Sequence, residues 1–326
     1  MNSLTSEILK QLVNSGNEPI SGQQIADQLK ISRTAVWKHI KQLEDDGYEI
    51  ISVKKKGYLL HKRMDSLHPA MLDSMTSTER VGRKIHYFDS CPTTQSIAHE
   101  EAANGAVDGT VVISEEQTAG KGRLARNWSS TKGKGIWMSI ILRPDIPPQL
   151  APQFTLVAAV AITRAIADET GVTPSIKWPN DLLINGRKCT GILTELQAEA
   201  DRVQSIILGI GVNVNQTTED FPDELKSIAT SLKIEIGNDV DRLVLTAKIF
   251  EYIEKYTDLY IEQGFRPLKI LWESYSDTLG KRIRASMVNG EIIGKAIGIT
   301  EEGVLQIQTD DGKIHGIYSA DIFIEN

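Results

Sequence analysis

The spacing of apolar residues changes twice along these 326 residues, and the three stretches so defined require three different kinds of fold. In the first, Leu4, Ile8, Leu12 and Val13 recur at helical spacing. Ser21-Gly-Gln-Gln24 has the form of a capping box and opens a second helix with Ile25 and Leu29 on one face. After a short turn at Lys30-Ile31, Ser32 caps a third helix with Val36, Ile40 and Leu43 inward, and Gly47 stops it. Tyr48 to Val53 and Tyr58 to Leu60 then flank Lys54-Lys-Lys-Gly57, which reads as a hairpin with a basic tip. Helix, helix-turn-helix and hairpin is the order of a winged helix-turn-helix.

From Ile85 to about Tyr275 strands and helices mix. Val111 to Ser114, Ile136 to Leu142, Ser175 to Trp178, Leu182 to Ile184 and Ile206 to Val214 are strand-like, while Phe154 to Thr170 and Asp241 to Gln263 are long amphipathic helices. Strands so close in sequence pair as hairpins, which predicts an α+β architecture with a mixed sheet and excludes a doubly wound one. From Asp277 onward four short apolar runs (282–287, 291–299, 304–308 and 313–318) are separated by Asn-Gly, Glu-Glu-Gly and Asp-Asp-Gly turns, as in a small SH3-like β-barrel. Residues 63 to 80 are polar and Ser/Thr-rich, an interdomain linker with one short helix. The expected domains are 1–64, 65–276 and 277–326.

Charge separates the first domain from the rest. The net charge is −7, yet residues 30 to 62 carry eight Lys/Arg against four acids. A basic module on an acidic body suits nucleic acid. Arg33, Thr34, Trp37, Lys38 and Lys41 face outward on the third helix, toward bases and phosphates, and Lys54, Lys55 and Lys56 grip the backbone. Ser21 and Gly22, where the second helix begins, complete the candidate DNA contacts. No stretch approaches the roughly 18 uncharged apolar residues of a membrane span, and the polar and acidic opening residues are not expected to form a signal sequence. Two cysteines, Cys91 and Cys189, make neither a disulfide framework nor a metal cluster. A cytoplasmic protein with no membrane partner is expected.

Gln117 to Trp128 places Gly120, Gly122, Lys121, Arg123 and Arg126 directly after a strand. Glycines let backbone approach a ligand, and the cations select an anion. The match of Gly120-x-Gly122-x-x-Ala125 to a dinucleotide fingerprint fails, because loop residues follow where a helix must open. A basic substrate loop flanked by strands is the remaining reading. Lys177-Trp-Pro-Asn-Asp181 and Asn185-Gly-Arg-Lys-Cys-Thr-Gly191 supply Asn180 and Asp181 as oxygen ligands for Mg²⁺, with Arg187 and Lys188 in or beside a hairpin. Gly209-Ile-Gly-Val-Asn213 is a glycine-broken strand that a flat ring could approach.

With Asp89-Ser-Cys-Pro-Thr-Thr-Gln95, these motifs together resemble the bifunctional biotin–protein ligase and biotin-operon repressor family over essentially the whole chain. The resemblance implies a catalytic core like those of class II aminoacyl-tRNA synthetases and lipoate ligases. It implies ATP-dependent formation of biotinyl-5′-AMP and transfer of biotin to a lysine of the biotin-carrier domain of a carboxylase. It also implies biotin-responsive repression at operator DNA by an adenylate-bound homodimer. Biotin is then the substrate, ATP and Mg²⁺ the co-substrate and metal, with no tightly bound prosthetic group. By the same resemblance Lys188, Arg123 and Asp181 carry the catalysis. Thr93, Thr94, Gln95, Gln117, Lys121 and Gly122, with Arg123 and Lys188, hold biotin. Gly120, Arg126, Trp128, Asn180 and Asn213 serve ATP and the adenylate, and Asn180 and Asp181 the metal. The family's loop usually reads Gly-Arg-Gly-Arg-x-Gly-Arg; Lys121 and Ala125 depart from it, and Ala125 resists a positive φ. A repressor that senses ligand without ligating, and a lipoate-type acyl-adenylate ligase, are the alternatives.

Overall fold

A computed structural model describes residues 3–16, 18–62, 66–199, 202–287 and 290–325. The chain forms two compact units, Met1–Thr76 with Asp241–Ala247, and Ser77–Val240 with Lys248–Asn326.

The first unit contains α1 (Ser3–Asn14), α2 (Gly22–Leu29), α3 (Arg33–Asp45), the hairpin β1 (Glu49–Val53) and β2 (Gly57–Lys62), and α4 (Pro69–Asp73). The expected caps form. Ser21 Oγ accepts the Gln24 N–H at 3.1 Å while Gln24 Oε1 accepts the Ser21 N–H at 2.9 Å. Ser32 Oγ accepts the Ala35 N–H at 3.1 Å, and Lys30 ends α2 in the left-handed region with φ 54°. Ile8, Leu12, Ile25, Val36, Ile40 and Leu43 are at most 1% exposed. Each contributes about 1.5–3 kcal/mol of burial, which is what closes three short helices that would not persist alone.

The stretch expected to link domains is packed where it is described. Residues 63–65 lie outside the described residues, but Leu67, Met71 and Leu72 beyond them are fully buried, α4 packs on α1, and Lys10 pairs with Asp73. The first unit therefore reaches Thr76, past the boundary expected after residue 64. The short helix expected in this stretch is α4 (Pro69–Asp73).

The second unit is built in chain order from β3 (Ile85–Phe88), α5 (Thr94–Ala103), β4 (Thr110–Ser114), β5 (Gly135–Leu142), α6 (Gln153–Thr170), β6 (Ser175–Lys177), β7 (Asp181–Ile184), β8 (Arg187–Glu199), β9 (Arg202–Asn213), α7 (Leu232–Ile236), α8 (Arg242–Gln263) from Lys248 onward, and α9 (Arg266–Tyr275). The sheet order is β3-β4-β5-β9-β8-β7-β6, with β3 and β4 parallel and the other pairs antiparallel. It is the mixed sheet of an α+β protein. Helix α5 packs its alanines Ala98 and Ala102 on Val112, Ile141 and Ile207, so helix and strands approach closely. Pro148–Thr170 has the length and hydropathy of a membrane span, but most of its apolar part is buried, as in a core helix. Asn185 and Gly186, with φ 51° and 77°, form the tight turn joining β7 to β8.

Five antiparallel strands follow: β10 (Arg282–Met287), β11 (Gly290–Ile299), β12 (Leu305–Gln308), β13 (Ile314–Ile317) and β14 (Asp321–Ile324), in the order β13-β12-β11-β10-β14. Gly303 and Gly312 take the positive φ that two of the expected turns require, at 82° and 84°, while Asn289 of the third lies outside the described residues. The fifth strand, β14, was not expected. It is only four residues long and pairs with β10.

His68 offers a test of the first unit. Its Nδ1 accepts the Ala70 N–H at 3.2 Å and caps α4, and burial lowers its pKa from 6.5 to about 4. The folded state binds this proton less readily than the unfolded chain. Its stabilising contribution is therefore complete above pH 6.5 and is lost as the pH falls toward 4, by about 3 kcal/mol in all. His68→Asn, which keeps a capping acceptor, should flatten the decline in urea-unfolding stability between pH 6.5 and 4. An unchanged slope would contradict this role.

Candidate functional site

Strands β8 and β9 pair with Gly191 opposite Gly211 and Leu193 opposite Gly209. Because side chains alternate along strands, Gly191, Gly209 and Gly211 share one face of the sheet. A methyl group at Gly211 would lie 2.6 Å from the Trp128 indole, one at Gly191 2.8 Å from it, and one at Gly209 2.6 Å from Gln95 Oε1. At each position an added side chain would have to push its neighbour aside. The bare patch is the floor of a pocket, and the flat ring that approaches it is the chain's own Trp128.

One wall comes from the N-terminus of α5. The Thr93 hydroxyl caps the helix by accepting the Gln95 N–H at 3.3 Å. The Thr94 N–H donates to Gln117 Oε1 at 2.9 Å, and Gln117 Nε2 donates to Ser130 Oγ at 2.9 Å. Ser139 Oγ donates to Gln95 Oε1 at 2.9 Å. With its one proton used there, it accepts from Thr94 Oγ1 at 2.9 Å. Gln95 Nε2 reaches the Ile207 carbonyl at 3.2 Å. Thr93, Thr94, Gln95 and Ser139 are buried, so their groups are held in fixed directions, as recognition of a polar ring requires.

The second wall is the basic loop. It folds back as a narrow hairpin, with the Trp128 N–H on the Gly120 carbonyl at 2.9 Å and the Gly122 N–H on the Arg126 carbonyl at 2.8 Å. Its tip turns through Leu124 and Ala125, both left-handed, with φ 54° and 57°. Ala125 thus adopts the positive φ it was expected to resist, at a cost of about 1–2 kcal/mol. Arg123 Nη1 donates to Asn180 Oδ1 at 3.1 Å and Nη2 to Ser319 Oγ at 2.9 Å. Burial lowers the pKa of this guanidinium, with Asp321 and Asp181 acting in the opposite sense. Both of these hydrogen-bond partners are neutral, so the cation still faces the pocket with charge to offer.

Lys188 stands on β8 between the walls. Its Nζ lies 2.7 Å from Asp181 Oδ1 and 5.2 Å from the centre of the Trp128 ring. Its backbone is gripped by the next segment, its N–H on the Ile228 carbonyl at 2.8 Å and its carbonyl on the Thr230 N–H at 2.9 Å. Thr230 is held in turn by Asn213, whose Nδ2 donates to the Thr230 carbonyl at 3.1 Å.

Ten of the expected residues line this one pocket: Thr93, Thr94, Gln95 and Gln117 with Lys121, Gly122, Arg123, Trp128, Asn180 and Lys188. Gly120, Arg126, Asp181 and Asn213 do not. Gly120 lies under the loop, where a methyl group would meet the Trp128 carbonyl at 2.5 Å. Arg126 points away and pairs with Asp321. Asp181 faces Lys188, and Asn213 donates to the Thr230 carbonyl. The expected metal ligands do not fit a metal here: Asn180 Oδ1 faces Arg123, its Nδ2 donates to the Ile192 carbonyl at 2.9 Å, and Asp181 faces Lys188. No group of three or more His, Cys, Asp or Glu able to hold a metal occurs among the described residues. Sequence reasoning missed Ser139, whose signal was a lone hydroxyl in the apolar run Gly135–Leu142, and Gly191, which ended a motif without being read as floor. Both cysteines are buried; burial pushes the Cys189 thiol up to about 12 and the Cys91 thiol upward, which suits inert side chains.

In the first unit a separate groove runs between α3 and the β1–β2 hairpin, lined by Ser21, Gly22, Arg33, Thr34, Trp37, Lys55 and Lys56. Trp37 is 51% exposed, an unusual setting for an indole with no surface to cover. Lys38, Lys41 and Lys54 are exposed outside the groove, and Lys41 pairs with Glu44. The Ser21 hydroxyl is used by its cap.

Comparison with known proteins identifies the family and three matching segments. The model of the biotin/lipoate A/B protein ligase family matches residues 87–213, an HTH domain model matches 5–59, and the biotin protein ligase C terminal domain model matches 278–324. The chain is 50% identical over 319 residues to the bifunctional ligase/repressor BirA of Bacillus subtilis, covering 98% of each protein. It is 30% identical to the biotin–[acetyl-CoA-carboxylase] ligase of Mycobacterium tuberculosis, over 74% of this chain and 91% of that one. Among solved structures, the biotin protein ligase from Aquifex aeolicus in complex with biotin and ATP superposes with a TM-score of 0.65 at 30% identity, over 74% of this chain and 99% of that one.

Proposed function

The chain belongs to the family of bifunctional biotin ligases and repressors, and from that membership and the pocket just described we propose a two-step reaction. Biotin's carboxylate attacks the α-phosphorus of ATP; the bond to the β,γ-diphosphate breaks, and biotinyl-5′-AMP and pyrophosphate result. The amine of a carrier-domain lysine, having lost its proton, then attacks the acyl carbon and expels AMP. The observation that carries this reading is the convergence of Lys188 and Arg123 on one glycine floor opposite the Thr94–Gln95–Ser139 wall.

Two anions must meet in the first step, so the main task is neutralisation and positioning. Lys188, steadied by Asp181 and Trp128, bridges the carboxylate and the α-phosphate oxygens. Arg123 closes over the mixed anhydride with the backbone of Lys121 and Gly122. The polar wall orients biotin's ureido ring. Trp128 and the Thr230 segment held by Asn213 flank the adenine. Mg²⁺ enters with ATP, carried by the triphosphate.

The groove of the first unit is read as an operator-binding surface, with Arg33, Thr34 and Trp37 toward the bases and Lys55 and Lys56 toward phosphates. Biotinyl-AMP serves as corepressor by favouring a homodimer able to span a two-fold operator. ATP, carrier protein and operator DNA share one compartment, the cytoplasm. The three matched segments are then three functional modules: DNA-binding, ligase and C-terminal.

Incubation with ATP, Mg²⁺, a carrier domain and labelled biotin or lipoate tests the ligase. Biotin should be transferred and lipoate should not, and Lys188→Ala should slow adenylation by about 10²–10³-fold. Absence of biotin transfer, or wild-type turnover in the variant, would contradict the reading. Sedimentation should show a dimer that tightens with biotin plus ATP; identical profiles with and without them would remove the corepressor role.

A further inference from the structure

We propose that the turn between β13 and β14, with the first residue of β14, holds the substrate loop in its working position through Ser319 and Asp321, and that Arg126 is a positioning residue that does not touch nucleotide. This deepens the ligase reading and rests on it.

The loop needs an outside support. Leu124 and Ala125 at its tip are both left-handed, a backbone that side chains with a Cβ disfavour, so the tip does not hold this shape on its own account. On either side of the tip an arginine is held by the C-terminal sheet. Arg123 Nη2 donates to Ser319 Oγ at 2.9 Å, and Arg126 forms an ion pair with Asp321. The two arginines divide the work. Arg123 lines the pocket and is bonded to Asn180 and Ser319, both neutral, whereas Arg126 lies outside the lining, 65% exposed, with its charge met by a carboxylate. An arginine outside the lining and held by Asp321 is placed to tether the loop rather than to receive phosphate.

The other end of the tether is firmly mounted. The Trp178 N–H donates to Thr278 Oγ1 at 3.0 Å and Gln153 Nε2 to the Glu301 carbonyl at 2.9 Å, while the Asp277 N–H meets the Ile176 carbonyl at 2.8 Å. These bonds fix the C-terminal strands against β6 and α6. The C-terminal sheet therefore acts on the chemistry without entering the pocket: it presets the loop that carries Arg123, which shortens the search for the closed arrangement.

Charge reversal separates a tether from a substrate contact. Arg126→Asp and Asp321→Arg should each speed release of labelled biotinyl-adenylate about fivefold, the range of a partly exposed ion pair. The doubly reversed protein, Arg126→Asp with Asp321→Arg, should return to within about twofold of wild type. Asp321→Asn, the mildest change, should make release insensitive to salt, whereas wild-type release speeds up with salt. Hydrogen exchange across residues 117–130 of the ligand-free protein should rise severalfold in each single variant and fall again in the reversed pair. A reversed pair no better than its worse single variant, or unchanged exchange in Asp321→Asn, would overturn the proposal. Adenylate formation by the wild-type protein tests the ligase reading separately, and the exchange measurement reads the tether even if no adenylate forms.

Discussion

The cross-strand pair Gly191–Gly211, with Gly209 one step along the same face, leaves a patch of the central sheet without side chains, and the pocket is arranged around it. Trp128 lies against two of these glycines and Gln95 against the third. Lys188 takes its position over the indole, 5.2 Å from the ring centre, and the basic loop turns back through Trp128 toward Gly120. A methyl added at Gly191 or Gly211 would force Trp128 away from the floor, and with it the ring under Lys188 and one strand of the loop. Interiors packed at crystal density do not absorb such an insertion without cost, typically about 1–3 kcal/mol.

Electrostatics then divides the cations by partner. Lys188 faces Asp181 and Arg126 faces Asp321, so each is held by an acid, while Arg123 is held by an amide and a hydroxyl. The direct hydrogen-bond partners of Arg123 are neutral, so an incoming anion need displace no carboxylate bonded to it, while Asp321 and Asp181 act on it from further off. The polar wall opposite has its main contacts made before ligand arrives: the Ser139 proton goes to Gln95, the Thr94 N–H to Gln117, and the Gln117 amide to Ser130. The pocket is thus pre-oriented on the wall side and adjustable on the loop side.

Much of this was legible in the sequence where local chemistry decides structure. The Ser21–Gln24 box, the Ser32 cap, the Asn185-Gly186 turn and the alternating tail all form as their residues require, because each depends on neighbours within a few positions. What escaped depends on register between distant strands. Ser139 appeared as a stray hydroxyl until α5 brought Thr94 and Gln95 onto it, and Gly191 gained meaning only opposite Gly211. Arg126 was assigned to ATP and the adenylate by resemblance; that Asp321, 195 positions away, pairs with it is not encoded in its surroundings. The thirteen-residue strand β8 carried the motif Arg187 to Leu193 without announcing its length, since its half-exposed far end lacks apolar alternation. Asn180 and Asp181 had the right atoms for a metal, but the fold aims cations at them.

The central claim is that the bare glycine floor is what allows an acyl-adenylate to form here. Biotin-dependent exchange of labelled pyrophosphate into ATP reads the first step alone, without carrier or DNA. The wild-type protein should catalyse exchange only when biotin is present, and Gly211→Ala, with its thermal unfolding still cooperative, should lose at least about a hundredfold in rate, in the range set by misplacing a positioned cation. Exchange by a folded Gly211→Ala at the wild-type rate would contradict the account.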